Sequence, residues 1–245
     1  VTVPSDATGN VTITIKDKGG NVIKEETVNI SDGTAKLTVP DLNAGNYTVK
    51  VSLNDKTNYQ WADETTADVE YAFVINKATY DMSNVVFEDK KVTYNGSVYS
   101  IEATNLPAGV TVTYENNGKT NAGVYTVVAK FSGNANYNAI PDMEATLTVN
   151  KVTVAKPTAD NTVFTYNGQP QTYALAESEY YTVNNATAVN AGSYMVNVSL
   201  KDKLNYQWAD GTNADIFFSF VINKATYDMG NIVLKPSTEL DEVVV

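Results

Sequence analysis

Asn43-Ala44-Gly45-Asn46-Tyr47-Thr48-Val49 recurs as Asn121-Ala122-Gly123-Val124-Tyr125-Thr126-Val127, and again as Asn190-Ala191-Gly192-Ser193-Tyr194-Met195-Val196. Each copy opens a run that alternates with period two. Tyr47, Val49, Val51 and Leu53 share one face while Thr48, Lys50 and Ser52 share the other. The same holds for Tyr125, Val127, Ala129 and Phe131, and for Tyr194, Val196, Val198 and Leu200. A strand apolar on one side and polar on the other belongs to an antiparallel sheet with one wet face. The glycine is expected to let the chain turn sharply into the strand. The tyrosine ring should pack inward while its hydroxyl satisfies a turn carbonyl. Asn43, Gly45 and Tyr47, then Asn121, Gly123 and Tyr125, then Asn190, Gly192 and Tyr194 are therefore assigned as structural corners.

Repetition extends well beyond these corners. Asn58-Tyr59-Gln60-Trp61-Ala62-Asp63 returns 147 positions later as Asn205-Tyr206-Gln207-Trp208-Ala209-Asp210, and Phe73 to Met82 returns unchanged as Phe220 to Met229. Such self-similarity is the signature of an array of small units. The boundaries follow the closing runs Val74-Ile75-Asn76-Lys77, Thr148-Val149-Asn150-Lys151 and Val221-Ile222-Asn223-Lys224. They give modules at 1–77, 78–151 and 152–224, with 225–245 as the opening strand of an incomplete fourth module or a tail. In that last segment, Asn231 to Leu234 is expected to find a sheet edge or a neighbouring molecule. The closing strands alternate as well, with Val69, Tyr71, Phe73 and Ile75 assigned inward. Turn chemistry separates the runs at Asp17 to Asn21, Ser31-Asp32-Gly33, Asn95-Gly96, Asn116-Asn117-Gly118 and Asn167-Gly168. No amphipathic helix is legible. The predicted class is all-β, as tandem sandwiches in an elongated array. With strands of about 10 residues rising ~3.3 Å per residue, three modules in line would reach on the order of 100 Å.

Composition excludes more than it proposes. The chain has no Cys, no His and no Arg, and all 17 basic residues are Lys. A thiol nucleophile, a disulfide, an imidazole base, a His/Cys zinc site and an arginine clamp are all impossible. The net charge of −11 opposes nucleic-acid binding, because phosphates would be repelled. No apolar run is long enough to insert into a membrane as a helix. The chain begins at Val1 without a leader pattern and is read as a piece of a longer protein.

The corner is comparable to the tyrosine corner of immunoglobulin domains, with Val49, Val127 and Val196 in the place of the second cysteine. Leu106-Pro107-Ala108-Gly109-Val110-Thr111-Val112-Thr113-Tyr114, followed by the corner at Asn121, resembles the MBG-type bacterial immunoglobulin-like repeat. So does the stretch from Asn190 through Leu204-Asn205-Tyr206-Gln207-Trp208 to Ile222-Asn223-Lys224-Ala225. Val1 to Pro40 departs from that pattern and is closer to another bacterial immunoglobulin-like subfamily. The resemblance implies an extracellular setting, at the cell surface or wall or secreted, and a stalk or adhesion role. It brings no catalytic residues with it.

Four aromatic residues are candidates for a sugar-stacking platform: Tyr59, Trp61, Tyr206 and Trp208. The competing assignment has the Asn-Tyr pair, present also as Asn136-Tyr137, closing the bottom of each core, with Trp covering the sandwich end. The middle module has Ala139 instead of Trp. Asp55, Asp63 and Asp68, with their counterparts Asp202, Asp210 and Asp215, could in principle coordinate Ca²⁺ at a joint. Their spacing fits a calcium loop only loosely, so solvated surface charge is the expected role and no cofactor is assigned. Paired acids suited to glycoside hydrolysis would recur with the repeat, whereas an active site is a single asymmetric feature, so no enzyme activity is expected. Asn76, Asn150 and Asn223 invite an isopeptide bond, but no inward Lys with an acid partner accompanies them.

The sequence therefore reads as a non-enzymatic stalk or spacer of a prokaryotic cell-surface, adhesin-like protein, a monomeric rod. The alternative is a region binding a cell-surface glycan or a host protein, perhaps attached to a polysaccharide-degrading enzyme. Exposure of Trp61 and Trp208 separates the two.

Overall fold

The computed structural model describes residues 7–39 and 41–230. Within them every regular element is a strand. The first repeat contributes β1 (Asn10–Asp17), β2 (Val22–Asn29), β3 (Gly45–Leu53) and β4 (Val69–Ile75). The second contributes β5 (Lys90–Thr93), β6 (Thr111–Glu115), β7 (Gly123–Ser132) and β8 (Met143–Asn150). The third contributes β9 (Val152–Val154), β10 (Phe164–Thr165), β11 (Gln171–Thr172), β12 (Tyr181–Asn184), β13 (Thr187–Ala188), β14 (Gly192–Leu200), β15 (Tyr206–Trp208) and β16 (Ile216–Asn223). The all-β, sandwich-like class expected from period-two alternation is the class observed. The segment Asn231 to Leu234, expected at a sheet edge, lies outside the described residues.

These strands pack into two compact units. One holds residues 1–89, 101–117 and 126–146; the other holds 90–100, 118–125 and 147–245. The middle repeat is thus divided, part grouping with the first repeat and part with the third.

In the first unit β1 lies between β2 and β3, and β4 completes an antiparallel order β2-β1-β3-β4. The alternation of β1 and β3 brings Val11, Ile13, Val51 and Leu53 to one face, where they are buried with Ala35 and covered by Trp61. β2 is an edge strand and is almost wholly exposed. Its Lys24, Glu25 and Glu26 put charge along that edge, which discourages pairing with another chain. Glu25 also accepts a 2.8 Å hydrogen bond from Thr14 Oγ1, satisfying a hydroxyl that is otherwise buried. Tyr71, expected inward on β4, is 64% exposed. It pairs with Val49, which is itself only half-buried, and the apolar cover thins toward the β4 edge. A second core of this unit gathers Tyr80, Val110, Ala129 and Phe131 around the β6–β7 ladder.

The second unit contains a sheet of order β10-β16-β14-β12. β14 and β16 pair antiparallel from Gly192↔Ile222 to Val198↔Ile216, while β10 joins the far edge of β16 in parallel. Val196, Val198, Phe220 and Ile222 of the central pair are buried. Opposite them lie two-stranded ladders, β11–β13 and the parallel β15–β9. β5 pairs with β8 in parallel, as β10 does with β16, and the middle sheet has the order β5-β8-β7-β6. A parallel edge strand therefore marks the second and third repeats. Among its described residues the first shows none, in keeping with the departure of its opening 40 residues from the pattern of the other two. The Asn-Gly turns after β5 and β10 are equivalent: Gly96 (φ 84°) and Gly168 (φ 77°) take the left-handed conformation, and Asn95 and Asn167 each accept a backbone N–H two residues on.

Gly133 is packed most tightly of all. A Cβ there would stand 2.3 Å from the Tyr80 ring, which stacks on Tyr137 at 3.9 Å between centroids. Gly133→Ala should therefore cost about 1–3 kcal/mol in urea unfolding, as overpacking does. A stability within about 0.5 kcal/mol of the parent would show that the Tyr80–Tyr137 stack is not rigid.

Candidate functional site

The corners form as local devices. Tyr47 Oη donates to the Asn43 carbonyl at 2.8 Å, Tyr125 Oη to Asn121 at 2.9 Å, and Tyr194 Oη to Asn190 at 2.7 Å. Gly45, Gly123 and Gly192 are not in the left-handed region. The tyrosine ring folds back over the glycine Cα, closely enough to exclude a Cβ at Gly123 and at ordinary contact distance at Gly45 and Gly192. A Cβ at Gly123 would lie 2.8 Å from the Tyr125 ring, and one at Gly192 would lie 3.4 Å from the Tyr194 hydroxyl.

The four aromatic candidates do not assemble into a platform. Trp208 is 0% exposed, enclosed with Val154, Tyr181, Val198 and Leu200. Trp61 is half-buried against the first core. Both indoles are also tied to backbone, Trp61 Nε1 to the Ala67 carbonyl at 2.6 Å and Trp208 Nε1 to that of Ala214 at 2.7 Å. Tyr206 is held edge-on between Tyr94 and Tyr180. Tyr59 alone remains open, at 40%, with its hydroxyl bonded to Thr8.

The acidic candidates are equally committed. Asp55 and Asp202 accept the backbone N–H groups of their own turns, at Thr57 and Asn58 and at Leu204 and Asn205. Asp63 and Asp210 do the same at Thr65 and Thr212. Lys56, then Lys50, hold Asp68 down to about 2, and Lys203, then Ser199 and Asn197, hold Asp215 down to about 2. Lys156, then Thr212, do the same for Asp210. Among the described residues no three metal-ligating side chains converge.

What the sequence reading missed is the partner of the Asn-Tyr motif. Asn136 does not serve its own core. Its Oδ1 accepts the Ala44 N–H at 2.8 Å and its Nδ2 donates to Asn43 Oδ1 at 2.9 Å, at the corner of the preceding repeat. Asn205 repeats this on the next corner, with Ala122 N–H at 2.7 Å and Asn121 Oδ1 at 3.2 Å. Each joint lies within one compact unit. The asparagine backbone is engaged too: Ala78 N–H donates to the Asn136 carbonyl and Val152 N–H to that of Asn205, both at 2.9 Å. Tyr137 or Tyr206 follows, paired in parallel with Ala78 or Val152. Lys151 Nζ adds a 2.8 Å bond to the Lys203 carbonyl of the incoming turn. Asn205 is 3% exposed and Asp202 fixes its amide from the other side at 2.7 Å. The legible signal was spacing. In all three repeats the Asn-Tyr asparagine stands fifteen positions after its own corner asparagine.

A family model described as "Secretion system C-terminal sorting domain" matches residues 1–61, about a quarter of the chain. The protein is secreted. The matched stretch runs from β1 through β3 to Trp61, within the repeat whose sheet order differs from the others. No curated protein matches the chain at a significant level. A solved structure from Bacteroides ovatus is similar: SGBP-B of its mixed-linkage glucan utilization locus, in complex with a mixed-linkage heptasaccharide. Identity is 14%, with 91% of this chain and 66% of that one covered, so this chain spans slightly under two thirds of it. The TM-score is 0.18, too low for the likeness to carry an argument about fold or ligand.

Removing the joint amide should be costly, because it strands a half-buried N–H. Asn205→Ala should lower stability to urea by about 1–3 kcal/mol and accelerate exchange of the Ala122 amide. Acid should act through Asp68, Asp210 and Asp215. Their folded values of about 2 lie below the ordinary 3.8, so their contribution is complete above that value and is lost as pH falls toward 2. The urea midpoint should decline over that window, and Asp215→Asn should flatten part of the decline.

Proposed function

We propose that this chain is a non-enzymatic spacer of a secreted protein held at the cell surface, built from immunoglobulin-like modules of the MBG type. The observation that carries the proposal is the placement of two complementary features on every module. The corner, which accepts an asparagine in the first two modules, stands at one end of a nine- or ten-residue strand, and the module's own Asn-Tyr turn follows the other end of that strand. A unit with a socket at one end and a plug at the other repeats head to tail, as a spacer requires. Joints made from part-buried amide bonds resist bending in a way that Gly/Ser tethers do not.

No catalytic role and no cofactor is needed in this reading. The carboxylates are occupied in turns and lysine pairs, and glycan binding would need a surface other than the enclosed tryptophans. The acidic surface keeps such a chain soluble and discourages lateral association.

Small-angle scattering of the purified chain should return one narrow distribution of sizes, broadened in the Asn136→Ala/Asn205→Ala double variant. An unchanged distribution would remove the joints from the mechanism. Tryptophan fluorescence titrated with plant and host polysaccharides should stay flat. A saturable response lost in Tyr59→Ala would replace the spacer reading with a binding one.

A further inference from the structure

Two corners of the chain are met by an Asn-Tyr turn, and the third, at Asn190-Ala191, is not. Among the described residues nothing accepts the Ala191 N–H, whereas its equivalents at Ala44 and Ala122 are bonded at 2.8 and 2.7 Å. Around Ala191 lies a cavity of about 460 Å³ lined by Tyr166, Lys224, Ala225, Thr226 and Tyr227. Each of these has a counterpart in a completed joint. Tyr166 bonds through its N–H to the Asn223 carbonyl as Tyr94 does to Asn150, yet Tyr94 packs on Tyr206 while Tyr166 is 42% exposed. Lys224 stands where Lys151 donates to the incoming turn. Ala225 to Met229 has the same residues as Ala78 to Met82, in which Ala78 brackets the turn through both its N–H and its carbonyl and Tyr80 stacks on Tyr137. Tyr227, the counterpart of Tyr80, is 93% exposed.

We infer that this face is a docking socket for an asparagine–tyrosine turn of a further module of the same repeat class. One such turn would satisfy every open group at once. Its asparagine Oδ1 would take the Ala191 N–H and its Nδ2 the Asn190 Oδ1. Its backbone would bracket Ala225, and its tyrosine would cover Tyr227. A carbonyl two residues before the asparagine would receive Lys224. Recognition is specific, because a half-buried N–H that the docked turn covers stays unpaired when that turn lacks the amide. The inference rests on the geometry of the two completed joints and stands whether or not the chain serves as a spacer.

The test extends the chain. Because Ala225–Met229 duplicates Ala78–Met82, joining residues 83–151 directly after Met229 supplies a complete module behind the third corner. Hydrogen exchange read by NMR should show the Ala191 amide slowed roughly tenfold or more relative to the 1–245 chain. Replacing the appended copy of Asn136 by Ala should return Ala191 to fast exchange while strand amides of the appended module stay protected. In the same molecules Ala122 reports a joint already formed and should be slow throughout. Three results would overturn the inference: fast exchange at Ala191 beside a folded appended module, slow exchange already in the 1–245 chain because its own residues cover the socket, or an appended module that gains no protected strands.

Discussion

One hydrogen bond recurs wherever this protein turns into its central strands, from a tyrosine hydroxyl back to the carbonyl of the asparagine four residues earlier. It closes the corner without a disulfide and without a positive φ, and at Gly123 it presses the ring onto a glycine that has no Cβ to resist it. With its carbonyl engaged, the asparagine presents its side-chain amide and the next residue's N–H outward. The pair is a preformed acceptor and donor. A buried polar pair of that kind needs a partner, because an unmet N–H in a half-buried setting costs about 1–3 kcal/mol. The joints follow from that need.

The partner is an asparagine held equally firmly. In the third repeat Asp202 accepts Asn205 N–H and Nδ2 together, so the amide reaches the corner already oriented. The other acidic residues of the repeat are engaged in the same local way. They order turns, and three of them pair with lysines at the surface, where such pairs contribute little stability individually. The tryptophans are explained in the same way. Each indole N–H reaches a carbonyl six residues on, and each ring seals the end of a core. The turn beyond each Trp repeats as well, although Glu64 takes in the first repeat the left-handed conformation that Gly211 takes in the third.

A secreted setting agrees with this chemistry. The chain has no thiol to oxidise and no histidine to titrate near neutrality, and its bonds are those between amides, hydroxyls and carbonyls. The opening repeat, whose residues 1–61 the sorting-domain model matches, differs from the others in sheet order and shows no parallel edge strand among its described residues. It nevertheless carries the same corner and the same Asn-Tyr turn. The joint chemistry is common to repeats whose sheets are wired differently.

The all-β class, the corner bond and the turn positions were all legible in the residues, because each depends on interactions within a few positions or on strict alternation. Tyr47 and Asn43 are four residues apart, and a period of two survives any tertiary arrangement. The enclosure of Trp208, the exposure of Tyr71, the division of the middle repeat between two compact units, and the reach of Asn136 and Asn205 to a neighbouring corner were decided only by tertiary structure. Asn136 meets Asn43 across more than ninety residues, and nothing in local spacing says which of several polar side chains a buried N–H will find. That choice is made when two modules pack and water leaves the contact, since only then does an unpaired amide become costly.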